Sequence, residues 1–274
     1  MFRKIIIAVD GQEGGLDASA LARTLAPPTA ELVAARVLPR DDGPHGVADA
    51  GDDDAVTAAR RVVEATPGLS SVGVLVHARS VADGLHRLAG EQSADLIVVG
   101  SHHGGTAHLW SGDRTRATLR DAPCAVAVAP RGYADDPRVT IRSIGVGYDE
   151  TEEAQRALDM GRALAWDTGA EVQALEVVAE TNWQTPESGA GWKAVAAGTR
   201  IAELSGVTGV VVEGDAHVHL AQFAREVDVL ILGSHSHGLL HRLVLGHASE
   251  GLAGHLPCAL IVMPHPASGD RGGA

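Results

Sequence analysis

The sequence predicts an α/β fold built twice over: two copies of a doubly wound, five-stranded parallel sheet with helices on both faces. Three observations carry that expectation. Asp95-Leu96-Ile97-Val98-Val99-Gly100-Ser101-His102 returns as Asp228-Val229-Leu230-Ile231-Leu232-Gly233-Ser234-His235, 133 residues on, and Ala122-Pro123-Cys124 through Pro130 returns as Leu256-Pro257-Cys258 through Pro264, 134 residues on. Repetition on this scale marks a tandem duplication. The strand-like runs are mostly continuous in Val, Ile, Leu and Ala instead of alternating with polar residues, as in strands buried on both faces. They also alternate with helix-like stretches over short connections, which implies right-handed crossovers.

In the first copy, strands are expected at Lys4 to Asp10, Leu32 to Val37, Ser71 to His77, Leu96 to Gly100 and Ala125 to Ala129. Val56, Ala59 and Val63 form one helical stripe. Ser80 can N-cap the next helix, with Asp83 three residues on and Val81, Leu85 and Leu88 as its stripe. In the second copy, strands are expected at Ser143 to Gly147, Glu171 to Val178, Val210 to Glu213, Val229 to Gly233 and Ala259 to Met263. Glu152 to Trp166 reads as a helix, with Ala154, Leu158, Ala163 and Leu164 apolar. Asp215 caps the helix carrying Leu220 and Phe223. The domains are expected at 1–130 and 139–265, joined by a polar linker at 131–138 and followed by a disordered tail at 266–274. Insertions at Arg40 to Asp54 and Glu180 to Gly191 read as mobile loops.

Composition narrows the function. The net charge is −13 and lysine occurs only at Lys4 and Lys193, so no basic stripe exists for nucleic acid. Aromatic residues are 3%, too few for base-stacking platforms. No apolar run approaches the ~20 residues that span a bilayer. Met1-Phe2-Arg3-Lys4-Ile5 shows no signal-peptide pattern, and two cysteines in apolar strands, Cys124 and Cys258, read as buried thiols in a reducing cytoplasm.

Chemistry is expected at the carboxyl ends of the strands, where ligands bind such sheets. The loop from Gly100 to Thr115 contains Gly104, Gly105 and Gly112; that from Gly233 to Ser249 contains Gly238 and Gly246. Glycines let backbone N–H groups converge on an anion, and a following helix adds the positive end of its dipole. Asp10 and Asp149 end the opening strands and read as N-cap or turn residues.

These phrases together resemble the universal stress protein family in its tandem form. The match rests on Asp95 to His102 with Pro123 to Val128, on Asp228 to His235 with Leu243 to Met263, and on the opening strands ending in Asp10-Gly11 and Asp149-Glu150-Thr151. The resemblance implies strand order 3-2-1-4-5 in each domain and self-association through the last strands; a homodimer is a further expectation. It also implies a cytoplasmic stress-response protein, in a family where some members bind ATP through Gly, two residues, Gly, nine residues, Gly, then Ser or Thr.

Here neither copy of that pattern is intact. In the second, Gly233 and Gly246 keep the spacing, but Ser236 replaces the middle glycine and His247 the hydroxyl residue, with Ser249 two further on. The first loop is one residue shorter, and Asp113 falls at the hydroxyl position. The better site is therefore expected in the second domain: Asp149, Gly233, Ser234, His235, Gly238, Gly246, His247 and Ser249, binding ATP with Mg²⁺ as its companion ion. Asp10, Gly100, Gly104, Gly112 and Thr115 are the weaker first-copy candidates. The alternative is a structural or interaction protein of the same fold that binds no nucleotide. A weak ATPase or metal-dependent hydrolase is the distant third, since no nucleophile elbow and no Walker lysine is present. The histidine clusters His102, His103, His108 and His235, His237, His241, His247 are not shared position by position, and no metal site is expected from them.

Overall fold

A computed structural model describes residues 2–9, 13–39, 71–101, 111–135, 140–178, 190–234 and 257–264. The chain divides into two compact units, one within Met1–Val139 and one at Thr140–His265. The first contains β1 (Lys4–Ala8), α1 (Glu13–Leu25), β2 (Glu31–Pro39), β3 (Ser71–Ala78), α2 (Val81–Gln92), β4 (Leu96–Gly100), α3 (Ser111–Leu119), β5 (Ala125–Ala129) and a 3-10 turn at Tyr133–Asp135. The second contains β6 (Ser143–Gly147), α4 (Glu152–Thr168), β7 (Glu171–Val178), α5 (Ala190–Ala202), β8 (Thr208–Glu213), α6 (Ala216–Phe223), β9 (Val229–Gly233) and β10 (Ala259–Met263). The insertion from Arg40 to Asp54, the stripe Val56, Ala59 and Val63, residues 136–138 of the linker, residues 180–189 of the second insertion, and the tail from 266 lie outside the described residues.

Strand order is β3-β2-β1-β4-β5 in the first unit and β8-β7-β6-β9-β10 in the second, and the paired strands are parallel. Each unit thus has the 3-2-1-4-5 order. The continuous apolar runs have their cause in burial: every residue of β4, β5, β9 and β10 is buried. Both faces of the second sheet are covered. A Cβ at Gly161 of α4 would meet Val146 and Ile144, whereas one at Gly145 would meet Phe223 of α6. Neighbouring residues of a strand point to opposite faces, so α4 and α6 lie on opposite sides.

The leading aspartate of the repeated phrase has a structural job in both copies. Asp95 Oδ2 accepts hydrogen bonds from the backbone N–H of Arg3 (2.7 Å) and Lys4 (3.0 Å). Asp228 Oδ2 accepts from Arg142 N (2.8 Å), Ser143 N (3.0 Å) and the Ser143 hydroxyl (3.1 Å). Each carboxylate thereby satisfies N–H groups at the start of the central strand, which lack ladder partners.

The expected helix caps form. Ser80 Oγ accepts from Asp83 N at 3.1 Å and Asp215 Oδ1 from His217 N at 2.8 Å. Other details differ from the sequence reading. β1 stops at Ala8, and β8 starts at Thr208, two residues early, because Thr208 and Gly209 already pair with Gln173 and Ala174 of β7. Helix α4 runs past Trp166 to Thr168, where Gly169 at φ 75° stops it by donating to Ala165 O. Trp166 itself is 90% exposed. Ala163 and Val81 are half-buried, at the margins of their stripes. Helix α5 starts at Ala190, so the second insertion is shorter than expected. Among the described residues no helix is long and apolar enough to cross a membrane.

Both cysteines are free; Cys258 is buried and Cys124 half-buried. Burial pushes both thiols up to about 12, reinforced by Asp95 at Cys124 and opposed by a backbone hydrogen bond from Leu230 at Cys258.

Candidate functional site

The second-unit candidates converge at the carboxyl edge because β6 and β9 are paired neighbours, Val146 beside Ile231. β6 ends at Gly147 and runs through Tyr148, Asp149, Glu150 and Thr151 into α4. β9 ends at Gly233, followed by Ser234. Gly233 faces the start of α4 at contact distance: a Cβ there would lie 2.7 Å from Glu153 Cβ and 3.3 Å from Ala154 N. Glycine at 233 therefore has a packing reason independent of any ligand. The same holds at Gly100, where a Cβ would fall 2.4 Å from the carbonyl oxygen of Gly14 in α1.

The turn after β6 is a chain of side-chain hydrogen bonds. Asp149 Oδ1 accepts from Thr151 N at 3.3 Å and from Thr151 Oγ1 at 2.6 Å. Thr151 Oγ1 in turn accepts from Ala154 N at 3.2 Å. The N-cap of α4 is thus Thr151, with extended backbone at φ −68° and ψ 157°. Asp149 is not the cap but the turn residue that orients it, an Asx turn two residues upstream. Its other oxygen, Oδ2, has no hydrogen bond to any described residue, and the residue is exposed at the edge.

Between them Glu150 takes φ 62°, a left-handed conformation that costs a non-glycine residue roughly 1–2 kcal/mol. The first copy has Gly11 at the matching place. Arg200, from the last turn of α5, holds Glu150: its Nε lies 3.1 Å from Glu150 Oε1, an ion pair whose angle is too poor for a hydrogen bond. The same guanidinium donates through Nη2 to Glu176 Oε1. Glu176 is a β7 residue only 5% exposed, and its Oε2 lacks a hydrogen-bond partner among the described residues. The hydrogen bond to Glu176 strengthens the hold of Arg200 on its proton. Tyr148 sits beside this group; partial burial, then Glu150 and Glu176, push its hydroxyl above the usual range.

Arg200, Glu176, Glu150 and Tyr148 were missed from the sequence, although a signal was present. Glu176 interrupts an apolar strand, and so does its first-copy counterpart. Ala8 pairs with Ala35 as Gly147 pairs with Leu175, so the next residues, Arg36 and Glu176, are equivalent and opposite in charge. A second inversion is Asp17 against Arg156. Buried Asp17 accepts from Gly132 N (3.0 Å) and Ala134 N (2.8 Å), while Arg156 donates to Pro264 O.

Ser234 is 5% exposed, and its hydroxyl has no hydrogen-bond partner among the described residues, as is also true of the Ser101 hydroxyl. Thr115 lies buried in α3 and donates to Gly100 O at 3.2 Å, so its hydroxyl is engaged by the scaffold. Gly112 falls in the first turn of α3. Asp10, Gly104, His235, Gly238, Gly246, His247 and Ser249, and both histidine clusters, lie outside the described residues. Among the described residues no three His, Cys, Asp or Glu side chains group to hold a metal ion.

Solved structures share the fold over nearly the whole chain. A universal stress protein from Archaeoglobus fulgidus superposes with a TM-score of 0.61 at 15% identity, covering 96% of this chain and 98% of its own. A putative universal stress protein from Pseudomonas aeruginosa gives 0.60 at 16% identity, covering 96% and 93%. A Pseudomonas aeruginosa protein described as functionally unknown gives 0.61 at 18%, covering 96% and 92%. No curated protein matches significantly. The model of the universal stress protein family matches twice, at residues 1–130 and 140–264, one match for each of the two parallel-sheet units, and the chain belongs to that family.

Proposed function

We propose that the chain is a stress-response protein that binds an adenine nucleotide, ATP with Mg²⁺, at the carboxyl edge of its second unit. The observation that carries this reading is the meeting of Asp149, Gly233 and Ser234 at one strand edge, with Gly246 at the family's spacing from Gly233. Asp149 Oδ2 is the acceptor offered to a ribose hydroxyl or a hydrated cation, and the Ser234 hydroxyl, without a partner among the described residues, is a donor at the residue after Gly233. The first unit is the weaker binder on this reading: its loop is one residue shorter, Asp113 stands where a hydroxyl is needed, and Thr115 is already bonded to Gly100. The role is binding and not catalysis. Cytoplasmic placement and self-association belong to the same proposal.

One observation favours the second reading, an interaction protein without nucleotide. Both Gly100 and Gly233 are accounted for by close helix packing, so their retention does not require a phosphate.

Calorimetric titration with Mg-ATP, on chain purified without nucleotide, decides between them. One site per chain is expected, abolished by Gly246→Trp and unaffected by Gly112→Trp. Absence of binding at millimolar ATP ends the nucleotide reading and leaves the interaction protein. Binding that survives Gly246→Trp moves the site elsewhere.

A further inference from the structure

The geometry points to Arg200 as the positioning residue of the second-unit site: it clamps Glu150 in its left-handed conformation against the floor formed by Glu176, and so presets Asp149 and Thr151 at the mouth of the edge. The idea rests on the nucleotide reading for its ligand but not for its geometry.

Four observations converge. Glu150 is one of three described non-glycine residues with positive φ, and it sits between Asp149 and Thr151, the two members of the hydrogen-bonded turn. Its side chain is held by Arg200 at 3.1 Å, from an element remote in sequence. Arg200 is itself fixed by a buried carboxylate that no described group other than Arg200 pairs with. In the first copy the matching sequence position is Gly11, a residue type that tolerates positive φ, and the place of Glu176 is held by Arg36. The second copy thus carries a strained residue and the clamp for it together, whereas the first copy's sequence has a glycine at the one position and the opposite charge at the other.

The consequence is that turn order and ligand affinity depend on a helix that contributes no contact to the ligand. An Asx turn held by one backbone and one hydroxyl hydrogen bond opens easily once Glu150 relaxes to negative φ, because the Asp149 carboxylate then leaves Thr151. Affinity falls through the loss of a preset acceptor, not through the loss of a contact.

Two readouts test this, one of them without any ligand. Amide hydrogen exchange at Ala154, whose N–H is bound by Thr151 Oγ1, should accelerate at least tenfold under native conditions in Arg200→Met and in Glu150→Ala. Glu150→Ala changes an exposed side chain and keeps the half-buried Arg200–Glu176 pair, so folding is not at issue. In Glu150→Gly, which needs no clamp, adding Arg200→Met should change Ala154 exchange less than twofold. Unchanged exchange in Glu150→Ala, or an equal effect of Arg200→Met in both backgrounds, overturns the inference and leaves Arg200 as a support for α5 alone. Where wild type binds Mg-ATP, the same variants should lose about tenfold in affinity, again with little further loss from Arg200→Met in the Glu150→Gly background. Wild-type chain that binds no nucleotide while exchange behaves as described removes the proposed ligand and keeps the clamp.

Discussion

The carbonyl oxygen of Gly14 stands 2.4 Å from where a Cβ on Gly100 would be, so the end of β4 and the first turn of α1 meet backbone to backbone. The second unit repeats the approach at Gly233, but there the nearest atom is the Glu153 side chain. The two motif glycines thus differ in what they tolerate.

Gly100→Ala should destabilise the first unit by about 3 kcal/mol, at the upper end of overpacking costs, because a backbone oxygen cannot swing aside. Gly233→Ala should cost less, about 2 kcal/mol, since the approach is looser there, 2.7 Å to Glu153 Cβ and 3.3 Å to the nearest backbone atom, although a Cβ moves only with its backbone. Urea denaturation of each variant gives the comparison; equal losses would refute the distinction.

The carboxylate at the head of the repeated phrase is expected to matter more than its exposed neighbours. Replacing Asp228 by Ala strands the N–H groups of Arg142 and Ser143 and the Ser143 hydroxyl. A loss of about 2–3 kcal/mol is expected from the unmade bonds. Asp228→Asn should recover part of it, because the amide oxygen still accepts. Thermal unfolding of the three proteins is the measurement.

Thr151→Val removes the cap of α4 while keeping its shape. The expected cost is about 1 kcal/mol, with Asp149 left without its hydroxyl partner. Asp149→Ala should cost less in stability, because it loosens the Thr151 cap without removing the hydroxyl that accepts from Ala154, yet more in Mg-ATP affinity. A calorimetric titration paired with denaturation separates the two; parallel losses would mean that Asp149 is a turn residue only.

Both thiols ionise late in the folded state, at about 12 against 9.0 for an unperturbed thiol. An unfolded chain therefore releases these protons at lower pH than the folded one. The stability they contribute is complete below pH 9 and drains away as pH rises from 9 towards 12. At pH 8 the native cysteines should resist iodoacetamide over hours, and Cys258→Ser should flatten the alkaline decline. Rapid alkylation of native protein would contradict the burial.

The fold was legible because burial on both faces leaves its mark directly in composition: β4, β5, β9 and β10 are apolar at nearly every position. Caps at Ser80 and Asp215 were legible because their mechanism is local. Helix α1 was not assigned from the sequence; it begins with Gly14 and Gly15, and the backbone of Gly14 packs against Gly100, a contact between residues far apart in the chain. The site was legible as residue types on a strand edge, and Asp149, Gly233 and Ser234 do meet there. Its supporting pair, Arg200 and Glu176, lies 24 residues apart on different elements, and no short-range pattern reports such a partnership. The bond from Thr115 to Gly100 O was hidden for the same reason, its two ends lying 15 residues apart.

The aspartate clamps at Asp95 and Asp228 hold their central strands chiefly by backbone N–H groups, with the Ser143 hydroxyl added at Asp228. Backbone is anonymous, so each clamp would accept the opening strand of either copy. A newly made chain with two such interchangeable fittings risks threading the strand of one domain into the sheet of the other. Asp17 and Arg156 break that equivalence, one seeking N–H donors after β5 and the other a carbonyl after β10. A crossed assembly would set a buried carboxylate against a carbonyl and a guanidinium against N–H groups, so the charges that diverged after duplication label each half as its own.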